Sequence, residues 1–111
     1  VITSIRDDGH IIDTQFGLTR PDGRSYFYDI RCGNKLVEIN GDFWHGNPEI
    51  YKYGDILHFP GGDVTVDFIW KRDDKKISYA KSNGFDVLII WESDMNNDYN
   101  KCITEIESFL K

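Results

Sequence analysis

Asp29 and Glu38 stand on either side of Cys32-Gly33-Asn34-Lys35, and with Gly33 and Asn34 as the two residues of a tight turn, hairpin register sets these carboxylates directly opposite each other. Opposed residues of an antiparallel pair hold their Cβ atoms about 4.5–5.5 Å apart, and like charges there repel. Two acids so placed require a compensating cation. Hard carboxylate oxygens suit Mg²⁺, which takes one or two of them and completes its shell with water and substrate phosphate. The competing reading is a surface hairpin carrying two exposed acids, and a one-residue slip of register would part them.

Period-two alternation puts Glu38 and Asn40 on one face of their strand and sends Val37 and Ile39 the other way, into the core. His45 follows after a short loop, within reach of the same site, and its imidazole titrates close enough to neutrality for proton transfer; a purely structural histidine is the alternative. Phe43 and Trp44, just before it, read either as core or as exposed aromatics at the start of a loop. Asp73 falls on the apolar face of a helix, between Trp70 and Ile77, and an inward acid needs a partner, so it is either half of an ion pair or part of the site.

The elements that must position these residues follow from the apolar pattern. The first third alternates polar and apolar residues between turn signals at Asp8-Gly9 and Pro21-Asp22-Gly23, which predicts an antiparallel meander whose clearest strands are Ser25 to Arg31 and Lys35 to Asn40. Residues 42–62, rich in Gly, Pro and aromatics, read as an irregular loop with a helical turn after Pro48. Helical spacing of Val66, Ile69, Trp70, Ile77 and Ala80 predicts an amphipathic helix over 64–83, stopped by Asn83-Gly84. The run Val87-Leu88-Ile89-Ile90 reads as a strand buried on both faces, and Tyr99, Cys102, Ile103, Ile106, Phe109 and Leu110 as a last helical stripe that keeps Cys102 in the core. The expected class is α/β (α+β), a mixed sheet with helices packed on its faces and no internal repeat.

A chain of 111 residues is one domain, spanning 1–111. Its net charge of −6 opposes nucleic-acid binding, which normally draws its affinity from Lys and Arg on phosphate, unless some of the acids hold a metal or a separate domain supplies DNA recognition. Against that balance, Lys71, Arg72, Lys75, Lys76 and Lys81 crowd one segment, as either a phosphate-tracking patch or a solvated helix face. Two cysteines, Cys32 and Cys102, make neither a disulfide framework nor a zinc spacing. No run approaches the roughly 20 apolar residues of a membrane span, and Val1-Ile2-Thr3-Ser4 lacks the order of a secretion signal, so the expected setting is cytoplasmic, with no membrane partner. A start at Val1 suggests a piece of a longer protein.

Asp29 followed by Glu38-Ile39-Asn40 resembles the Asp…Glu-x-Lys signature of the PD-(D/E)XK nucleases, with Asn40 where that family usually has lysine. Asn40-Gly41-Asp42-Phe43-Trp44-His45, with Gly84-Phe85-Asp86-Val87-Leu88-Ile89-Ile90-Trp91-Glu92, is similar to the very-short-patch repair endonucleases and to the related phage intron-encoded homing endonucleases with an E-D-x-H-D pattern. The resemblance covers about Tyr26 to Trp91 and implies a restriction-endonuclease-like fold and a Mg²⁺-dependent endonuclease of double-stranded DNA, with Mn²⁺ as a substitute, in a bacterium or phage-infected host. Carried over, Asp29 is the principal metal ligand, Glu38 a second one, His45 the general base, and Asp73 the last acid of the homing pattern. Asn40 occupies the lysine position of the catalytic set, and Phe43 and Trp44 match aromatics that wedge into the DNA stack; Lys71, Arg72, Lys75 and Lys76 are the expected phosphate contacts. Two departures stand out. Asp42 replaces a cysteine of the repair enzymes' zinc site, so no structural zinc is expected, and the helix-borne catalytic glutamate of that group has no counterpart ahead of Asp29. A homing endonuclease is the first expectation, a mismatch-directed repair nickase the second, and an inactive nuclease-fold binding module the third.

Overall fold

The computed structural model describes residues 12–111; the turn expected at Asp8-Gly9 lies outside them. The meander is present as β1 (Asp13–Thr19), β2 (Ser25–Cys32) and β3 (Lys35–Asn40), with the Pro21-Asp22-Gly23 turn between the first two. Cys32 pairs with Lys35 and Ile30 with Val37, which is the register required to bring Asp29 and Glu38 together. Of the two turn residues only Gly33 takes a positive φ, +60°. Glycine at the first central position is the II′ arrangement, whose twist suits a hairpin.

Residues 42–62 are more ordered than their composition predicts. They contain α1 (Asp42–His45), one turn in which Ile50 and Tyr51 both donate to the Asn47 carbonyl, and strand β4 (Ile56–Phe59). β4 pairs with β5 (Gly62–Thr65) as a separate two-stranded ribbon turning at Pro60-Gly61. Because Val64 pairs with Leu57 in that ribbon, the long helix α2 starts at Val66 and runs to Ser82, two residues later than the apolar spacing predicts. Then come β6 (Asp86–Trp91), α3 (Glu92–Asn97) and α4 (Tyr99–Leu110).

The main sheet has the order β1-β2-β3-β6, antiparallel except for the parallel pair β3 and β6. A parallel neighbour needs a crossover, and α1, the ribbon and α2 provide it. Tyr28 and Leu36 pack against Ala80 of α2 on one face. Ile30, Val37 and Ile90 pack against Met95, Cys102, Ile103 and Ile106 of α3 and α4 on the other. The molecule is thus a mixed sheet between helices, as expected, and Cys102 lies in its core. No helix among the described residues is long and apolar enough to cross a membrane.

Strand alternation breaks at one place. Tyr28 and Ile30, two residues apart, would share a face in a regular strand, yet they belong to opposite cores. Asp29 lies between them, and both ladders lapse there. The β1 pairing skips from Thr14↔Ile30 to Phe16↔Tyr28 around Gln15, which has a φ of +53°, and the β3 pairing ends at Ile30↔Val37. Asparagine, aspartate and glycine are the usual occupants of positive φ, so a glutamine there marks a backbone bent away from regular pairing at Asp29.

Candidate active site

Where the ladder lapses, the two carboxylates take over the backbone's hydrogen bonds. The Asp29 N–H donates to Glu38 Oε1 at 2.9 Å, and the Ile39 N–H donates to Asp29 Oδ2 at 2.7 Å. Each acid therefore holds the other's strand, and these two bonds orient both side chains. Alternation places Glu38 and Asn40 on the α2 face, with Val37 and Ile39 turned to the α3 and α4 side. That face is covered by α2 rather than by water: Glu38 is 4% exposed and Asn40 7%.

A carboxylate so buried needs a cation, and α2 supplies it: Lys76 Nζ donates to Glu38 Oε2 and lies 4.9 Å from the centre of the Tyr28 ring. Burial pushes the Glu38 carboxyl above its usual range, opposed by the Lys76 ammonium and the Asp29 N–H, with the Asp29 carboxylate adding to the rise. Tyr28, fully buried, donates its hydroxyl to the Lys76 carbonyl at 2.7 Å and so pins this turn of α2 to the sheet.

Burial first, then the Glu38 carboxylate, pushes the Tyr28 phenol up to about 12. An unfolded tyrosine ionises near 10, so between these values the folded state keeps a proton that the unfolded state has lost. Stability from this group is complete below about pH 10 and falls as pH rises toward 12. Melting curves of the wild type should shift down steeply across that window, and the shift should be shallower in Tyr28→Phe; equal slopes would take the alkaline sensitivity away from Tyr28.

His45 reaches the same cleft from the last residue of α1. Its Nδ1 lies 2.7 Å from Asp73 Oδ2, and both side chains are about a quarter exposed, 29% and 24%. Asp73 is thus the inward acid expected from its helix position, and its partner is the histidine. Arg72 touches the other Asp73 oxygen at 3.3 Å. The placement of His45 is itself locked. Gly46 ends α1 at a φ of +59°, its carbonyl accepts from Trp70 Nε1 at 2.6 Å, and a Cβ there would collide with the Val66 side chain. At the other end of α1, Asp42 Oδ1 accepts from Asn47 Nδ2 at 2.8 Å and from Ser93 Oγ at 3.1 Å.

The result is a cleft of about 280 Å³ lined by Glu38, Asn40, His45, Arg72, Asp73 and Lys76 among others. Four of the five expected site residues line it; Asp29 stands beside it, bonded to the Glu38 strand. Lys71, Arg72 and Lys75 are exposed on α2, whereas Lys76, grouped with them by composition, turns inward to Glu38. Phe43 and Trp44 are not core: they are 37% and 54% exposed. They form a cluster with Phe59 of β4, whose ring stacks on Trp44 at 5.0 Å and meets Phe43 edge-on at 4.9 Å. Phe59 and the inward turn of Lys76 escaped the sequence reading. Pro60-Gly61 was the signal for the ribbon that carries Phe59, and three-residue spacing from Asp73 was the signal for Lys76.

The two carboxylates are the oxygen donors that a hard divalent cation would use. Among the described residues, Asp29 Oδ1 receives a single long contact, from Gln15 Nε2 at 3.5 Å, while Glu38 is closed on one side by a backbone N–H and on the other by Lys76. Among the described residues no three His, Cys, Asp or Glu side chains gather as a metal-holding group. Asp29 would be the first ligand, and Glu38 would join it with the oxygen that Lys76 holds. Compared with family models, with curated proteins and with solved structures, the chain matches none.

Proposed function

We propose that this chain is the catalytic domain of a metal-dependent DNA endonuclease of restriction-like fold, with a homing endonuclease as the first reading. The observation that carries it is the crosswise pair Asp29 and Glu38, set at a lapse in the sheet beside a cleft that also holds the His45–Asp73 pair. Interlocked acids at a break in strand pairing are a costly arrangement for mere structure, because like charges at this spacing repel. Bound Mg²⁺, or Mn²⁺ in its place, would supply Lewis acidity to a phosphate and lower the pKa of water.

The chain's own residues do the rest. Asp29 and Glu38 hold the cation. His45, its Nδ1 committed to Asp73, keeps its other ring nitrogen to accept a proton from water. Lys71, Arg72 and Lys75 meet the phosphate backbone of double-stranded DNA, and Asn40 offers an uncharged amide at the cleft wall. The Phe43, Trp44 and Phe59 cluster provides apolar faces for unstacked bases. An inactive binding module of the same fold is the second reading, favoured by the closure of Glu38 by Lys76 and by the net charge of −6.

Supercoiled plasmid incubated with the protein separates the two. Nicked or linear product in Mg²⁺, suppressed by chelation, is expected; intact plasmid in both Mg²⁺ and Mn²⁺ would leave the binding module. Trp44→Ala and Phe59→Ala are each expected to weaken binding to duplex DNA by about 1–3 kcal/mol, the usual worth of one base–aromatic stack. The melting temperature of Trp44→Ala should move little, since Trp44 is half exposed. A large loss of stability with unchanged DNA affinity would assign the cluster to packing.

A further inference from the structure

Glu38 presents a problem that Asp29 does not. With 4% of its surface exposed and a second carboxylate bonded into the same strand break, it is a buried acid that calls for a cation beside it. In the structure that cation is an ammonium from α2, so a metal and a lysine have one claim on the same oxygen.

Resting on the nuclease reading, we propose that Lys76 is a displaceable counter-cation: a hard divalent ion binds at Glu38 by expelling the Lys76 ammonium from it. Several features make the exchange local. The bond that anchors this turn of α2 runs from the Tyr28 hydroxyl to the Lys76 backbone carbonyl, so the side chain can swing while the helix stays in place. Lysine is a compact charge on a flexible four-carbon stem. Its side chain is 23% exposed and lines the cleft, so it has somewhere to go. Glu38 keeps its orientation throughout, because its other oxygen remains bonded to the Asp29 N–H. The charge balance favours the exchange as well: Asp29, Glu38 and Lys76 together carry one negative charge, and a divalent ion in place of the ammonium neutralises both acids.

Calorimetric titration of Mn²⁺ into the wild type and into Lys76→Gln tests this, glutamine being a neutral donor that can still bond Glu38. Removing the competing charge is expected to tighten Mn²⁺ binding about tenfold or more. Unchanged or weaker binding would overturn the proposal. Should the variant fail to fold, acetylation of wild-type lysines followed by mass spectrometry gives the same answer: adding Mn²⁺ should raise labelling of Lys76 severalfold and leave Lys71 and Lys75 unchanged. Labelling of Lys76 that stays constant or falls would show that the ammonium never leaves Glu38. The nuclease reading fails separately. Mn²⁺ binding that tightens in Lys76→Gln, with plasmid left intact in both Mg²⁺ and Mn²⁺, supports the counter-cation and removes the metal-dependent enzyme, whereas no Mn²⁺ binding by the wild type removes the exchange itself.

Discussion

Asp29→Asn is expected to abolish DNA cleavage while leaving the melting temperature unchanged or slightly raised. The bond that holds the site together is made by Asp29 Oδ2, which accepts from the Ile39 N–H, and an asparagine carbonyl can accept the same bond. What disappears is the charge. Among the described residues Asp29 Oδ1 receives a single long contact, and without this acid the cation loses its first ligand, a charge stabilisation of several kcal/mol in the transition state. At about 1.4 kcal/mol per tenfold, that is a rate loss on the order of 10³ or more. The fold has no comparable stake in the charge, because removing one of two neighbouring carboxylates relieves their repulsion. Circular dichroism and a plasmid assay on the same preparation check both halves. Normal cleavage by Asp29→Asn would end the metal-site assignment, and an unfolded variant would show that the interlock with Ile39 depends on the charge.

How much of this was legible in the sequence depends on the range of the interaction concerned. The Asp29–Glu38 register was, because a two-residue turn fixes it locally and Gly33 made that turn recognisable. The inward placement of Asp73 was legible too, since helix periodicity is a local property, and the structure adds its partner, His45. The ribbon of β4 and β5 was not. Four-residue strands carry too few alternations to stand out from an irregular stretch, and only Pro60-Gly61 marked their turn. Lys76 shows the limit most clearly. Composition groups it with Lys71 and Lys75 as a surface cation, and its direction is decided by Glu38, thirty-eight residues away and buried on a neighbouring strand. Likewise the loss of alternation at Asp29 left no mark in β2 alone, where regular spacing would set Tyr28 and Ile30 on one face. Long-range pairing decides these features, and local patterns do not encode it.

The pairing with Asp73 gives His45 a behaviour that a merely structural histidine would lack. A general base must be neutral to take a proton, so at saturating metal the cleavage rate should rise with pH as the base loses its proton. The contact between Nδ1 and Asp73 Oδ2 orients the ring, and the other nitrogen is the one left to act as base. His45→Ala should then lower the rate by roughly 10²- to 10⁴-fold, the range typical of a positioned acid or base, and flatten the rise with pH. Asp73→Asn should cost less, because the ring keeps a hydrogen-bonding neighbour and loses only its charged orienting partner. Mn²⁺ affinity should hardly change in either variant, since Asp29 and Glu38 supply the charged ligands. Loss of Mn²⁺ binding in His45→Ala would make the residue a ligand instead of a base. A pH profile identical to wild type would pass the proton to another group, and the carboxylate of Asp73 lies nearest to take that role.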